Sequence, residues 1–264
     1  MDSGFRTPLL DFFRRGEVAR DVRLSAAQGA MAPRAHEQVG LLMLLIGDQD
    51  PVIAAAAEAT LRAIPEGSLR AFLARSDVTG EMRDFFAQRG IEAAEVAAAA
   101  SADDPLLDHS QPDELDALED APPPPEGQER QSVLQKIAGL TVAQRMGLAM
   151  KGTREERQIL IRDPNKIVGV AVLSSPKINE AEVESIAKMA SISDELLRMI
   201  GLSRGWTKSY AIVHALVKNP KTPVAMSMNF LSRLNEKDLR MVSANRNVAD
   251  ILRITARRKI VIDK

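Results

Sequence analysis

Residues 101–130 set the first limit on what this chain can fold into. They hold ten acids, a single base (Arg130) and the run Pro122-Pro123-Pro124-Pro125. Consecutive prolines lack backbone N–H groups and lock φ, which excludes helix and central strand and favours an extended polyproline II path. A stretch this charged cannot bury enough apolar area to offset the entropy of ordering it. It reads as an acidic, Pro-rich disordered linker over 99–130, with a short helix around Leu115 to Leu118. The 264 residues are thereby divided into an N-terminal module, 1–98, and a C-terminal module, 131–264.

Both modules have to build their cores from aliphatic side chains. The chain has 7 Phe, 1 Trp, 1 Tyr and no Cys, against 45% apolar residues. That composition favours packed helices over a sheet sandwich, and the expected fold class is all-α. Phe5, Leu9, Phe12 and Phe13 share one helical face, either as a cover for the first helices or as an amphipathic docking element beside Arg14, Arg15 and Arg20. Further helices are expected near 18–29, 35–46, 51–63, 67–74 and 79–89, with Pro51 and Pro65 at helix starts. In the second module Thr141/Gln144, Thr153/Glu156 and Asn179/Glu182 have capping-box spacing, with Asn235/Asp238 and Asn247/Asp250 as weaker versions. Val183, Ile186, Ala187 and Ala190 form one apolar stripe; Val248, Ile251, Leu252 and Thr255 form another. Ile167 to Leu173 is β-branched enough for a strand, but Asp163-Pro164 supplies an N-cap and N1 pair, and the segment reads as a buried helix.

A recurrence supports that reading. Ala171-Val172-Leu173-Ser174-Ser175-Pro176-Lys177 is echoed 44 residues later by Ala215-Leu216-Val217-Lys218-Asn219-Pro220-Lys221. Periods of about 40–47 residues built from two or three helices characterise HEAT and armadillo arrays. The chain resembles that class in both halves, and Leu45-x-x-Asp48-x-Asp50-Pro51-Val52 resembles a HEAT hinge with Ile53 where the usual Arg would stand. Residues 131–260 are also similar to uncharacterised bacterial helical-repeat proteins sharing the Arg162-Asp163-Pro164-Asn165-Lys166 style of helix start. The resemblance implies a right-handed α-solenoid of short helices in two modules joined by the linker; it implies a fold and not an activity.

Enzyme chemistry finds little material. The absence of Cys removes thiolate metal sites and cysteine catalysis. The three histidines, His36, His109 and His214, are scattered, and no metal or cofactor site is expected. Gly201-Leu202-Ser203-Arg204-Gly205 matches the G-x-S-x-G string, but a helix precedes Ser203 and no acid lies between it and His214, so an inter-helix turn is expected. Gly147 to Thr153 places its Lys before the Gly, which a phosphate loop cannot use. No secretory leader or membrane span is evident, and the expected location is cytoplasmic.

Charge carries the functional expectation. Residues 1–100 hold eleven Arg and fourteen acids, a net of −3; the linker stands at −9; residues 131–264 hold twenty-three bases and twelve acids, a net of +11. The overall −1 is thus a cancellation between an acidic tether and a basic module. Arg154, Arg157, Arg162 and Lys166 form one cluster, Lys208, Lys218 and Lys221 a second, and Arg253, Arg257, Arg258 and Lys259 close the last helix. In stacked repeats such bases can align into a stripe, although some face Glu155, Glu182 or Asp238 as partners. Trp206 and Tyr210, flanking Lys208, serve either as an anchor for a partner or as a staple into the core. The expected function is a non-enzymatic interaction or scaffold module binding an acidic protein. Self-contact with linker 101–130 is a second use of the same surface. The alternative is a HEAT-like nucleic-acid-binding module on the same bases, and a third reading is a repair-type enzyme on a helical-repeat fold.

Overall fold

The computed structural model describes residues 7–31, 34–95, 105–107 and 133–262. Phe5, the proline run and the helix expected at Leu115 to Leu118 lie outside the described residues, as does most of the linker. Every regular element among the described residues is helical, in keeping with the preference read from the aliphatic composition. In chain order these are α1 (Pro8–Arg14), α2 (Arg20–Ala27), α3 (Ala35–Ile46), α4 (Pro51–Ala63), α5 (Glu66–Leu73), α6 (Gly80–Ala87), α7 (133–138), α8 (Val142–Lys151), α9 (Arg154–Leu160) and α10 (Lys166–Ser174). There follow α11 (Glu180–Lys188), α12 (Asp194–Leu202), a 3-10 turn (Trp206–Lys208), α13 (Tyr210–Lys218), α14 (Val224–Leu231), α15 (Glu236–Ala244) and α16 (Asp250–Ile262). No helix of the described residues is long and apolar enough to cross a membrane.

The chain forms two compact units, which divide elsewhere than at the linker. One comprises Met1–Gly152 with Asn165–Pro176; the other comprises Thr153–Pro164 with Lys177–Lys264. Residues 133–152 and 165–176, read from sequence as part of the basic module, therefore pack with the first unit.

In the first unit α3 packs on α1, α2 and α4, and α10 packs on α1 and α8. Leu9, Phe12 and Phe13 are buried, so that stripe is core and offers no docking face. Gly40 lets α1 and α3 close up: a Cβ there would stand 3.0 Å from a Leu10 methyl. Asp50 caps α4 through the Val52 N–H (2.9 Å), while Arg20 and Arg23 of α2 reach Asp50 and Asp48 at 2.6 Å each. The turn between α3 and α4 is thus held by ion pairs to α2. Buried Gln38 donates to the Leu107 carbonyl (2.7 Å) and accepts its N–H (3.1 Å), so residues 105–107, assigned from sequence to the linker, are tied to α3. Ile167 to Leu173 is helical and buried throughout, as expected. Its N-cap, however, is Asn165 and not Asp163, because the Asn165 side chain reaches the Ile167 N–H at 3.2 Å.

In the second unit α13 packs on α11, α12, α14 and α15, and α14 and α15 pack on α16. Val213, Val217, Leu231, Leu239, Val242, Val248 and Leu252 form its core. Ile251, placed from sequence in the apolar stripe of α16, is instead 54% exposed, and Ala190 lies exposed beyond the end of α11.

The 44-residue recurrence has a structural counterpart. Ser175, the C-cap of α10, donates to the Met150 carbonyl near the end of α8 (2.7 Å). Its counterpart Asn219, the C-cap of α13, donates to the Ala187 and Met189 carbonyls at the end of α11 (2.7 and 3.0 Å). Helix C-termini leave carbonyls without partners, and both copies satisfy them from the residue before the shared Pro-Lys.

Arg157 and Glu182 are the most buried ion pair of the second unit, 5% and 4% exposed, with contacts of 3.0 and 2.8 Å. Removing one partner strands the other charge. We expect Arg157→Ala to cost about 3–5 kcal/mol in urea unfolding, and Arg157→Met with Glu182→Leu to recover most of that loss. An equal loss in the single and double variants would count against this account.

Candidate functional site

The second unit carries nineteen bases and twelve acids, a net of +7. The structure separates the bases singled out from sequence. Arg154 is exposed at the start of α9, and Arg162 is exposed with its guanidinium 3.6 Å from the Met189 sulfur. Arg157 is a correction: its pairing with Glu182 buries it, because a guanidinium inside a helical core needs a bidentate carboxylate, and it cannot meet a partner at the surface. Lys166 is an exposed first residue of α10 in the other unit. Lys218 is half-buried and Lys221 is exposed. On α16, Arg253 is half-buried and paired with Asp250, and Arg257 and Arg258 are exposed. Trp206 and Lys208 lie together in the turn between α12 and α13.

That turn is built by close packing below and hydrogen bonds on both sides. At its base a Cβ on Gly201 would fall 2.1 Å from the Met226 sulfur, so α12 meets α14 where only glycine fits without moving that side chain. Ser203 closes α12 and accepts from the Thr207 N–H (3.0 Å) and hydroxyl (2.8 Å). Ser203 thus ends a helix, with no strand leading into it, and no nucleophile elbow forms. Arg233 donates to the Thr207 carbonyl. Held this way, the turn presents Leu202, 71% exposed, and Tyr210, 41% exposed, around half-buried Trp206. Arg204 and Lys208 are exposed on either side of Trp206, and neither side chain has a partner among the described residues.

Below the turn lies a polar network that sequence spacing did not connect. The Tyr210 hydroxyl donates to Asp238 of α15 and accepts the Asn235 N–H at 3.2 Å. The His214 ring stacks on Tyr210 with centroids 6.3 Å apart, and its Nε2 lies 3.5 Å from the second Asp238 oxygen without a hydrogen bond. Burial, and then the Asp238 carboxylate, hold the Tyr210 phenol above its ordinary range, so it stays a protonated donor. Burial also pushes His214 below its ordinary value, outweighing the attraction of Asp238; Lys218 and Lys188 lower it further and Glu184 opposes them. His214 is therefore neutral at pH 7.

One sequence signal marks the region in retrospect. From Leu196 to Asn235, forty residues contain no acid and six bases, Arg198, Arg204, Lys208, Lys218, Lys221 and Arg233. Among the described residues no group of three His, Asp or Glu could hold a metal ion.

The depressed His214 sets a pH dependence. An unfolded histidine takes up a proton near its ordinary 6.5, whereas the folded site resists it. Stability is therefore present above that value and is lost as pH falls through it. Lowering the pH from about 7.5 to about 5.5 should reduce the thermal midpoint, and His214→Gln should shrink that drop. A drop of the same size in the variant would remove His214 from the account.

Comparison with known proteins finds no matching family model, no matching curated protein and no matching solved structure.

Proposed function

We propose that this protein is a non-enzymatic interaction module whose basic second unit binds an acidic segment of a partner protein, with the 202–210 turn as the contact. The observation that carries the reading is the turn itself. It holds two exposed apolar or aromatic side chains and a half-buried indole between cations that have no partner among the described residues, on a backbone held by its own hydrogen bonds. Trp, Tyr and Arg are enriched at the energetic centres of protein interfaces, and preorganisation lowers the entropy cost of docking. The exposed aliphatic Leu202 suits a protein partner with its own apolar residues. A single-stranded nucleic acid would instead use an open stacking platform, and Trp206 is half-buried.

The finer fold reading, an α-solenoid of the HEAT/armadillo kind, belongs to the same proposal. Its support is the alternation in which α11 packs on α13, α13 on α15 and α14 on α16. Solenoids present extended binding surfaces, and the word scaffold rests on that analogy.

Trp206 is the chain's single tryptophan, so its emission reports occupancy of the turn directly. Titrating the full chain with a synthetic peptide of Asp, Glu, Leu and Phe should give a saturable change that weakens with salt. Arg204→Glu with Lys208→Glu should weaken it by about tenfold or more. An emission that responds to a single-stranded oligonucleotide and not to the peptide would replace this reading with the nucleic-acid one. No response to either would overturn both.

A further inference from the structure

The outer face of α16 is a second interaction surface, of different chemistry from the turn. Its inner face, Leu252 and Ala256, is 3% and 0% exposed in the core of the second unit. The opposite face carries Ile251, Ile254 and Val261, at 54%, 48% and 74% exposure, which no described element covers. With Arg258 these residues fall at i, i+3, i+7 and i+10, the spacing of a helix-pairing seam. Isolated exposed aliphatics are ordinary on protein surfaces; three on one helical stripe are a pattern.

Charge decides what can lie on that stripe. Arg257 and Arg258 are exposed near its middle. Arg258 has no partner among the described residues, and Arg257 reaches only the Ser243 carbonyl, at 3.4 Å. Asp250, the one acid on α16, is taken by Arg253. A second copy packed in parallel would bring its own Arg258 against the same arginine and be repelled, and an antiparallel copy would set each Arg258 against Ile254 with no free acid to pair with it. The geometry points to an amphipathic acidic helix of a partner protein as the occupant. Its aliphatic side chains would lie on Ile251, Ile254 and Val261, and its carboxylates would meet Arg257 and Arg258. This inference is carried by α16 alone and goes beyond the proposed contact at the turn.

The test uses the full chain and a fluorescein-labelled synthetic helix of Glu, Ala and Leu with leucines at i, i+3, i+7 and i+10. Anisotropy should show binding, and a scrambled peptide of the same composition should bind about tenfold more weakly. Ile254→Ser and Arg258→Glu, both surface changes that leave the core intact, should each weaken the patterned peptide by about tenfold. The Trp206 response to the turn's own peptide should be unchanged in both variants, which separates failure here from failure at the turn. Equal binding of patterned and scrambled peptides, or indifference to Ile254→Ser, would overturn the inference. Sedimentation showing a dimer that Ile254→Ser dissolves would assign the face to a second copy and overturn it equally.

Discussion

An isolated helix of seven to thirteen residues is marginal in water, because nucleation is costly and few hydrogen bonds repay it. The named helices here are that short or shorter, from α7 at six residues and α1 and α9 at seven to α4 and α16 at thirteen. In such helices the terminal groups, four N–H and four C=O at each pair of ends, are a large share of the backbone. The structure answers at both ends. Thr141 with Gln144 and Thr153 with Glu156 form complete capping boxes, and Asn165, Asn179, Ser193 and Asn235 accept single N–H groups. At the other ends Ser175 and Asn219 carry side-chain donors to the carbonyls of a neighbouring helix. Neighbouring helices therefore supply both the apolar cover and the polar closure that a short helix cannot supply for itself.

This dependence explains which residues are left for function. Arg157 and Glu182 join helices within the second unit as a buried, matched pair, and so they hold structure and leave the surface. Other bases stand at helix ends and turns, such as Arg154, Lys208 and Lys221, or on the outer face of α16, as Arg257 and Arg258 do, and are exposed. Exposed cations at such positions contribute little to stability and are available to attract an acidic partner over roughly a Debye length, about 8–10 Å.

Much of the helical layout was legible in the sequence, and the reasons are local. Pro51 at N1 and the Asp50 cap put α4 at its observed start, and the capping-box spacing did the same for α8 and α9. The recurrence at Ser175 and Asn219 was visible as a string, but its meaning, a tie to another helix's carbonyls, is a contact across 25 to 32 residues that spacing alone does not contain. Arg157 was misplaced for the same reason, since its partner lies 25 residues away. Ile251 was assigned to the wrong face because Val248, Leu252 and Ala256 already fill the inner face of the unit's last described helix. Of the candidate surface, Trp206 and Lys208 were found, while Leu202, Arg204 and Arg233 were not, since only the fold shows them on or against one turn.

Asp238 shows how an acid can lie beneath a basic surface and yet offer a partner little direct contact. It is the carboxylate that approaches the turn residues, and its side chain is 11% exposed. One oxygen accepts the Tyr210 hydroxyl and the other faces His214, while its backbone N–H is held by Asn235. Burial does not weaken the field of this carboxylate, but its oxygens face inward and offer a partner little contact, whereas Arg204 and Lys208 are exposed and open to direct pairing. Moving Asp238 to an exposed position on the same helix would leave the net charge of the unit unchanged and still place a negative group in competition with any acidic partner. The groups that the turn offers for direct contact are thus its cations, because Asp238 is buried beneath it, which neither the net charge nor the acid-free run by itself expresses.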